Sequence, residues 1–191
     1  MNVNNKVEGF VLIRDANTHE VLVEKKNAIH YENFSESLGL SLANRSTGFI
    51  QTMAFGNGAS TVSGIGTITY FPPNSSGSSA SLYNQTYSKV VNDLSPLNTA
   101  PQSNYIQINH VSGNVYTDVV VNCLLDYAEP SGQQAFDTET SADGAYVFDE
   151  MGLISYDTSG GKLLTHVIFH PVQKSLNRQI EIIYTLRIYM T

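Results

Sequence analysis

The sequence predicts a mainly β protein, an antiparallel β-sandwich or sheet with one short helix and long polar loops. Three observations carry that expectation. Residues 180–190 put an apolar side chain at every second position, Ile180, Ile182, Tyr184, Leu186, Ile188 and Met190, while Gln179, Glu181, Thr185 and Arg187 fall on the other side. Strand side chains alternate faces, so this run lays one face on a core. Residues 115–127 hold the most continuous apolar stretch, around Val119-Val120-Val121-Asn122-Cys123-Leu124-Leu125, which predicts a strand central in its sheet. Charged residues make up only 14% of the chain, and Ser, Thr, Asn, Gln and Gly supply the polarity that long loops need.

In chain order, residues 7–14 and 21–24 are apolar runs around Asp15-Ala16-Asn17-Thr18-His19-Glu20 and read as a hairpin. From 31 to 44 the period changes. Phe34, Leu38 and Leu42 stand four apart with Ser37 and Ser41 beside them, Asn33 is placed as N-cap with Glu36 three residues on, and Asn44 and Arg45 suit a C-terminus. The reading is a short helix, weakened at Gly39 by about 1 kcal/mol relative to Ala. Residues 49–55 form a strand that enters Gly56-Asn57-Gly58-Ala59-Ser60, and Gly64-Ile65-Gly66 leads to Thr67-Ile68-Thr69-Tyr70. Residues 71–80 are loop by composition, 82–91 are mixed with strand character, and 94–104 form a second long loop. Strands at 105–111 and 115–127 meet at Ser112-Gly113-Asn114, residues 128–144 are polar and acidic, and 146–153 return to β. After a turn at 157–161, residues 163–170 and 180–190 are expected to pair as a hairpin across 171–177, with the sheet centred on that pair.

A chain of 191 residues suits one domain and is long enough to bury a core. The net charge is −7, and between positions 46 and 161 the only lysine or arginine is Lys89. An acidic middle repels phosphate, so no direct nucleic-acid partner is expected. Cys123 is the single cysteine, excludes an intrachain disulfide, and reads as an inert core thiol. The polar start at 1–6 and the lack of any apolar run of membrane length predict neither signal peptide nor anchor, and folding in a reducing cytoplasm.

Chemistry is hard to find. The glycines at 56–66 match neither a dinucleotide fingerprint nor a Walker loop, and a turn needing positive φ explains them. Asp137, Glu139 and Asp143 suggest calcium, but their spacing misses the EF-hand pattern and a solvated acidic loop is the plainer reading. His166 and His170 share a strand face yet lie about 13 Å apart, too far for one ion. His30 with Glu32 lies at a helix start, His110 has no nearby carboxylate, and no nucleophile elbow occurs. Eleven Tyr and eight Phe without Trp point to core or subunit packing. No catalytic residue, metal ligand or cofactor is therefore expected, and no enzymatic activity.

Three short motifs occur in a suggestive order. They are Met53-Ala54-Phe55-Gly56-Asn57-Gly58, Leu82-Tyr83-Asn84-Gln85-Thr86-Tyr87, and Val147-Phe148-Asp149-Glu150-Met151-Gly152-Leu153, the last followed by a glycine turn and Lys162-Leu163-Leu164. Together they resemble virion proteins of tailed bacteriophages and are similar to the N-terminal attachment modules of tail-collar fibre proteins, with Gln85 where that family often has Glu and Met151 where it often has Ile. The resemblance runs from Asn27 to the end. On it the chain divides into an N-terminal hairpin at 1–26 and an attachment-module-like body at 27–191. It implies a joining role in a virion, in an oligomer. This chain shows no shaft, collagen-like repeat or β-helix repeat, which favours a small adaptor of tail, collar or baseplate over a receptor-binding fibre.

The expected partners are copies of the chain itself and other virion structural proteins, with no nucleic acid and no membrane, in a virion made in the host cytoplasm. A capsid decoration protein and a virion-surface glycan-binding module are the alternatives. Docking is expected through the N-terminal hairpin and the two loops, with candidate inter-subunit contacts at Phe71, Pro72, Pro73, Asn74, Leu94, Pro96, Leu97 and Pro101. Both loops exceed what joining strands requires, and removal of residues 73–79 is expected to spare the fold.

Overall fold

The computed structural model describes residues 5–132 and 146–190. Its elements are β1 (Asn5–Asp15), β2 (Val21–Lys26), β3 (Ala28–Ile29), α1 (Tyr31–Leu42), β4 (Ile50–Gly56), β5 (Ser60–Val62), β6 (Ile68–Tyr70), β7 (Gln85–Val90), β8 (Tyr105–Asn109), β9 (Tyr116–Leu125), β10 (Val147–Ser155), β11 (Thr165–Gln173) and β12 (Ile180–Met190). Ten strands make two five-stranded antiparallel sheets, ordered β2-β1-β12-β9-β8 and β3-β11-β10-β4-β7, and β5 with β6 forms a separate small ribbon. The fold is mainly β with one short helix, as the sequence predicts. The acidic stretch with Asp137, Glu139 and Asp143 lies outside the described residues.

The alternation in β12 does what its pattern dictates. Ile180, Ile182, Tyr184 and Leu186 are buried against the second sheet, in one core with Val11, Ile13, Val121, Cys123 and Leu125 from their own sheet and Met53, Phe55, Met151, Leu153, Val167 and Phe169 from the other. On the opposite face, cross-strand partners are charged. Arg14 meets Glu181 at 2.5 Å, and Arg187 holds Asp118 through Nε and Nη2 at 2.7 and 2.8 Å while stacking 4.3 Å from the Tyr116 ring. The first sheet is thus apolar inside and mixed outside, where these ion pairs stand among Phe10, Leu12, Thr185 and Ile183.

Two expectations about strand placement are corrected. Segments 163–170 and 180–190 do not pair: β11 lies between β3 and β10, β12 lies between β1 and β9, and the connection crosses from one sheet to the other. Both strands have an apolar stripe on a shared core, and facing sheets satisfy two such stripes where a hairpin would put them side by side. The crossing is anchored by Lys174 N–H on the Tyr146 carbonyl and Ala16 N–H on the Gln179 carbonyl. Pro171 sits in β11 where the register with β10 shifts, the place a strand tolerates a missing N–H. The real hairpin is β10 with β11, across the predicted turn, where Gly160 and Gly161 have φ of 123° and 72°. Nor is segment 115–127 central. β9 lies second from the edge, buried at Val121, Cys123 and Leu125 and only partly at the residues between, while β12 holds the middle.

The N-terminal hairpin belongs to the first sheet: β1 pairs along its whole length with β12 and from Phe10 to Arg14 with β2.

The helix forms where expected, with a different cap and face. His30, not Asn33, caps α1, its Nδ1 accepting the Asn33 N–H at 3.2 Å. Asn33 is inside the helix and buried, its Nδ2 donating to the Leu163 carbonyl at 2.9 Å, and Ser37 bonds the Gly48 carbonyl. These close backbone approaches bring the Asn33, Phe34 and Ser37 stripe inward. Leu38 and Leu42 are turned out, Leu42 to 80% exposure.

The outer face of the second sheet is covered by chain. Gly56 pairs with Glu150 and Ala54 with Gly152, so its row of side chains is small around one carboxylate. Segment 71–84 crosses there, with Leu82 buried against Ala54 and Leu163. A methyl on Gly56 would sit 2.5 Å from the Asn84 carbonyl oxygen and 2.6 Å from Glu150 Oε1; glycine is what lets this strap approach. No described helix is long and apolar enough to cross a membrane.

Alternation in β12 makes a direct prediction. Ile182→Ala removes a fully buried side chain and costs about 2–5 kcal/mol, whereas Ile183→Ala on the outer face costs under about 1 kcal/mol. Urea unfolding of both variants checks this, and equal losses would contradict the assignment of faces.

Candidate functional site

Two features stand out, a buried polar node and an open apolar end. The node is built by the motifs that carry the resemblance. Glu150, on β10, is wholly buried. Its Oε1 accepts the Gly58 N–H at 3.1 Å and the Asn84 N–H at 2.8 Å, and its Oε2 accepts the Tyr83 N–H at 2.9 Å and His166 Nε2–H at 2.9 Å. The loop after β4, the strap before β7 and strand β11 therefore close on one carboxylate. Burial alone raises this acid's pKa, but His166 and the backbone amides of Asn84, Tyr83 and Gly58 outweigh it and hold the carboxyl below its ordinary range.

Its neighbour behaves oppositely. Asp149 accepts the Ala59 N–H at 3.1 Å and Ser60 Oγ–H at 2.5 Å, yet burial dominates and pushes its pKa up.

Chemically the node is a tie. The Glu150 carboxylate is fully occupied, and His166 uses its other nitrogen too, Nδ1 accepting the Asn74 N–H at 2.8 Å. His30, equally buried, accepts from Asn33 at Nδ1 and donates from Nε2 to the Gly77 carbonyl at 2.9 Å. Neither ring leaves a nitrogen for substrate or metal. No group of three or more His, Cys, Asp or Glu among the described residues could hold an ion, and His170, exposed, is bonded to the Tyr70 hydroxyl at 3.1 Å. Burial pushes the Cys123 thiol up to about 12, which suits an unreactive core residue.

The candidate contact residues fall into two groups. Phe71, Pro72, Pro73 and Asn74 lie on the strap. The Phe71 ring packs 5.3 Å from Tyr83, whose hydroxyl donates to the Pro72 carbonyl at 2.7 Å, and Asn74 also donates from Nδ2 to the Ser81 carbonyl at 2.9 Å. Asn74 N–H and Gly77 C=O are the partners of two buried histidines, so removing 73–79 would take one hydrogen bond from each ring. Leu94, Pro96, Leu97 and Pro101 are all exposed, Leu94 to 88% and Leu97 to 68%.

Leu94 leads to the second feature. At one end of the sandwich the inner face of the first sheet extends past the second, leaving a groove of about 450 Å³ among Phe34, Leu38, Leu94, Ile108, Val119 and Leu186. A neighbouring hollow of about 530 Å³ shares Phe49, Asn92 and Leu94 and continues over Pro96, Leu97 and Tyr156. Phe49 and Tyr156 stack between them, centroids 5.0 Å apart and planes at 8°. Among the described residues, the only charged one lining either hollow is Asp93, already occupied by the Ile106 N–H at 3.1 Å.

β8 borders this groove and, among the described residues, is an edge strand paired only with β9. Ile106 stands opposite Val121 and Ile108 opposite Val119, so both isoleucines share the inner face, yet Ile108 is 61% exposed. Edges are ordinarily blunted by charge or shortness. β2 carries Glu24, Lys25 and Lys26, β7 carries Lys89 and β3 is two residues long. β8, Tyr-Ile-Gln-Ile-Asn, has no charge. Sequence reasoning found the loop half of this site and missed the strand half, because nothing in a five-residue run says that one edge stays unpaired.

Replacing Glu150 by Gln puts an amide NH₂ against backbone N–H donors and costs about 3 kcal/mol at pH 7. Because the folded pKa is depressed, the stability from ionised Glu150 is fully present above the unfolded carboxylate value of about 4.3. It is lost as pH falls through the lower folded value, so the gap between wild type and E150Q in unfolding free energy should close below pH 4. A gap independent of pH would show that the carboxylate's charge is not what ties the loops.

No family model matches the chain, and no curated protein or solved structure matches it.

Proposed function

We propose that this protein is a non-enzymatic structural subunit that joins other subunits of a virion, as an oligomeric adaptor of the tail, collar or baseplate. The observation that supports it is the open end of the sandwich, where an uncharged edge strand borders an apolar groove. Such an edge offers backbone groups to an added strand beyond the Ile106 N–H, which Asp93 already takes, and the groove receives that strand's alternate side chains. The occupant is an extended segment of a neighbouring copy, with apolar residues two apart laid beside Ile106 and Ile108. Leu94, Pro96 and Leu97 form the wall over it.

The buried acids and histidines favour the same reading. A catalytic acid or imidazole needs a free lone pair or proton facing substrate, and Glu150, His166 and His30 have theirs engaged by backbone. The placing in a virion rests on the resemblance of the three motifs; the docking role rests on the exposed surface. Charge is low there, so association is driven by apolar burial with little dependence on salt.

Light scattering over a concentration range tests this. The wild type should reach a defined oligomer, and Ile108→Lys or Leu94→Asp should raise its dissociation constant at least tenfold, about 1.4 kcal/mol. Both substitutions are on exposed side chains and should change unfolding free energy by under about 0.5 kcal/mol. A wild type monomeric at every concentration, or variants that assemble unchanged, would overturn the assignment.

A further inference from the structure

The 71–80 strap is held to the sheet by histidines in a particular way. At His166 the donor to Nδ1 is the Asn74 backbone N–H, and at His30 the donor to Nδ1 is the Asn33 backbone N–H. A backbone amide can only donate, so each Nδ1 carries a lone pair and each Nε2 carries the proton, which goes to Glu150 and to the Gly77 carbonyl. Both rings are neutral in this arrangement, and both are 0% exposed. A second proton on either ring would put N–H against N–H.

We propose that the strap is a proton-released latch: protonation of His166 at Nδ1 breaks its bond to Asn74 and opens the strap there while the sandwich stays folded.

The surroundings of the two rings decide what moves. His166 faces Glu150 from β10, with Asp149 beside it turned to Ala59 and Ser60; the Tyr83 ring lies 5.8 Å away on the strap, and β3 opposes it with uncharged Ala28. Lys25 reaches the Ile168 carbonyl from β2, and His170 further along β11 is bonded to Tyr70. His30 has Tyr31 and Glu32 after it on the helix and backbone carbonyls of Leu164 and Gly77 against it. The carboxylate therefore lies on the Nε2 side of His166, where its bond survives protonation. What fails at His166 is the Nδ1 side, where the partner is the strap's Asn74; at His30 the Nδ1 partner is Asn33 of the helix, and Nε2–H keeps the Gly77 carbonyl.

The rest of the strap is lightly fastened. Residues 75–79 are all exposed, so opening gives up few apolar contacts there, whereas the core strands cannot open without the whole sandwich. Histidine is the side chain that ordinarily changes charge between pH 5 and 8, and each proton taken up on opening makes opening about tenfold easier per pH unit. The strap also carries exposed Phe71, Pro72 and Pro73, so loss of the Asn74 bond would loosen the stretch beside those candidate contacts. The latch follows from the fold alone and stands whether or not the groove docks a partner.

Amide hydrogen exchange on the whole protein between pH 7.5 and 5.0, corrected for the intrinsic rate, tests it. Protection of the Asn74 amide should fall at least tenfold while Ile182 and Val121 keep theirs. In His30→Asn, whose side-chain oxygen can still cap the helix, Asn74 should keep its pH dependence. Unchanged Asn74 protection down to pH 5.0, or loss only together with Ile182 and Val121, would overturn the latch. The wild-type profile decides the question even if the variant folds poorly.

Discussion

A single buried carboxylate holds the second half of this protein in register. Glu150 enters the outer face of the second sheet between Gly56 and the strap, and without it the amides of Gly58, Tyr83 and Asn84 would be left facing one another in a dry site. Neutralising those donors with an ion is costly unless the ion is fully bonded. Here the carboxylate has the three amides and the His166 ring, so the charge stabilises the approach of chain segments that would otherwise need separate partners. The glycines at 56 and 58 make room for the approach, as a methyl at Gly58 would stand 2.7 Å from the Asn84 nitrogen.

The same arrangement divides the molecule. One face of the second sheet is consumed by internal ties, and ion pairs lie on the first sheet's outer face. Among the described residues, the open end is where the helix brings Leu38 to the groove and β8 has an edge without a partner strand. The helix face and the open end have one cause. Because Asn33 and Ser37 take the inward positions to reach backbone carbonyls, the leucines of the predicted apolar stripe become surface.

Much of this was legible in the residues. Alternation at 180–190, the turns at 112–114 and 157–161, and a short helix after residue 30 followed from period and turn chemistry, although the cap is His30 and not Asn33. Strand pairing did not. The run 163–170 and the run 180–190 are close in sequence and both apolar, and only the need of two sheets for a shared core separates them. The node was half legible. Glu150 and the glycines stood in the motifs that carried the resemblance, yet nothing local said that Gly58, Asn84 and Glu150 converge, since their contacts span up to 92 residues. His166 was read for metal distance to His170, while its true partners, Glu150 and Asn74, lie in other segments. Leu94 and Leu97 were visible as loop apolars, and Ile108 looked like any strand residue.

The account turns on the claim that backbone amides close onto lone pairs of buried imidazoles beside an ionised glutamate. Nitrogen-15 NMR of the imidazole rings at pH 7.5 measures this most directly. Neutral rings at His166 and His30, each protonated at Nε2 with Nδ1 accepting, are the result the structure predicts. An imidazolium signal or an Nδ1–H tautomer at either ring would contradict it, because no backbone N–H could then donate there and the strap would have to be held some other way.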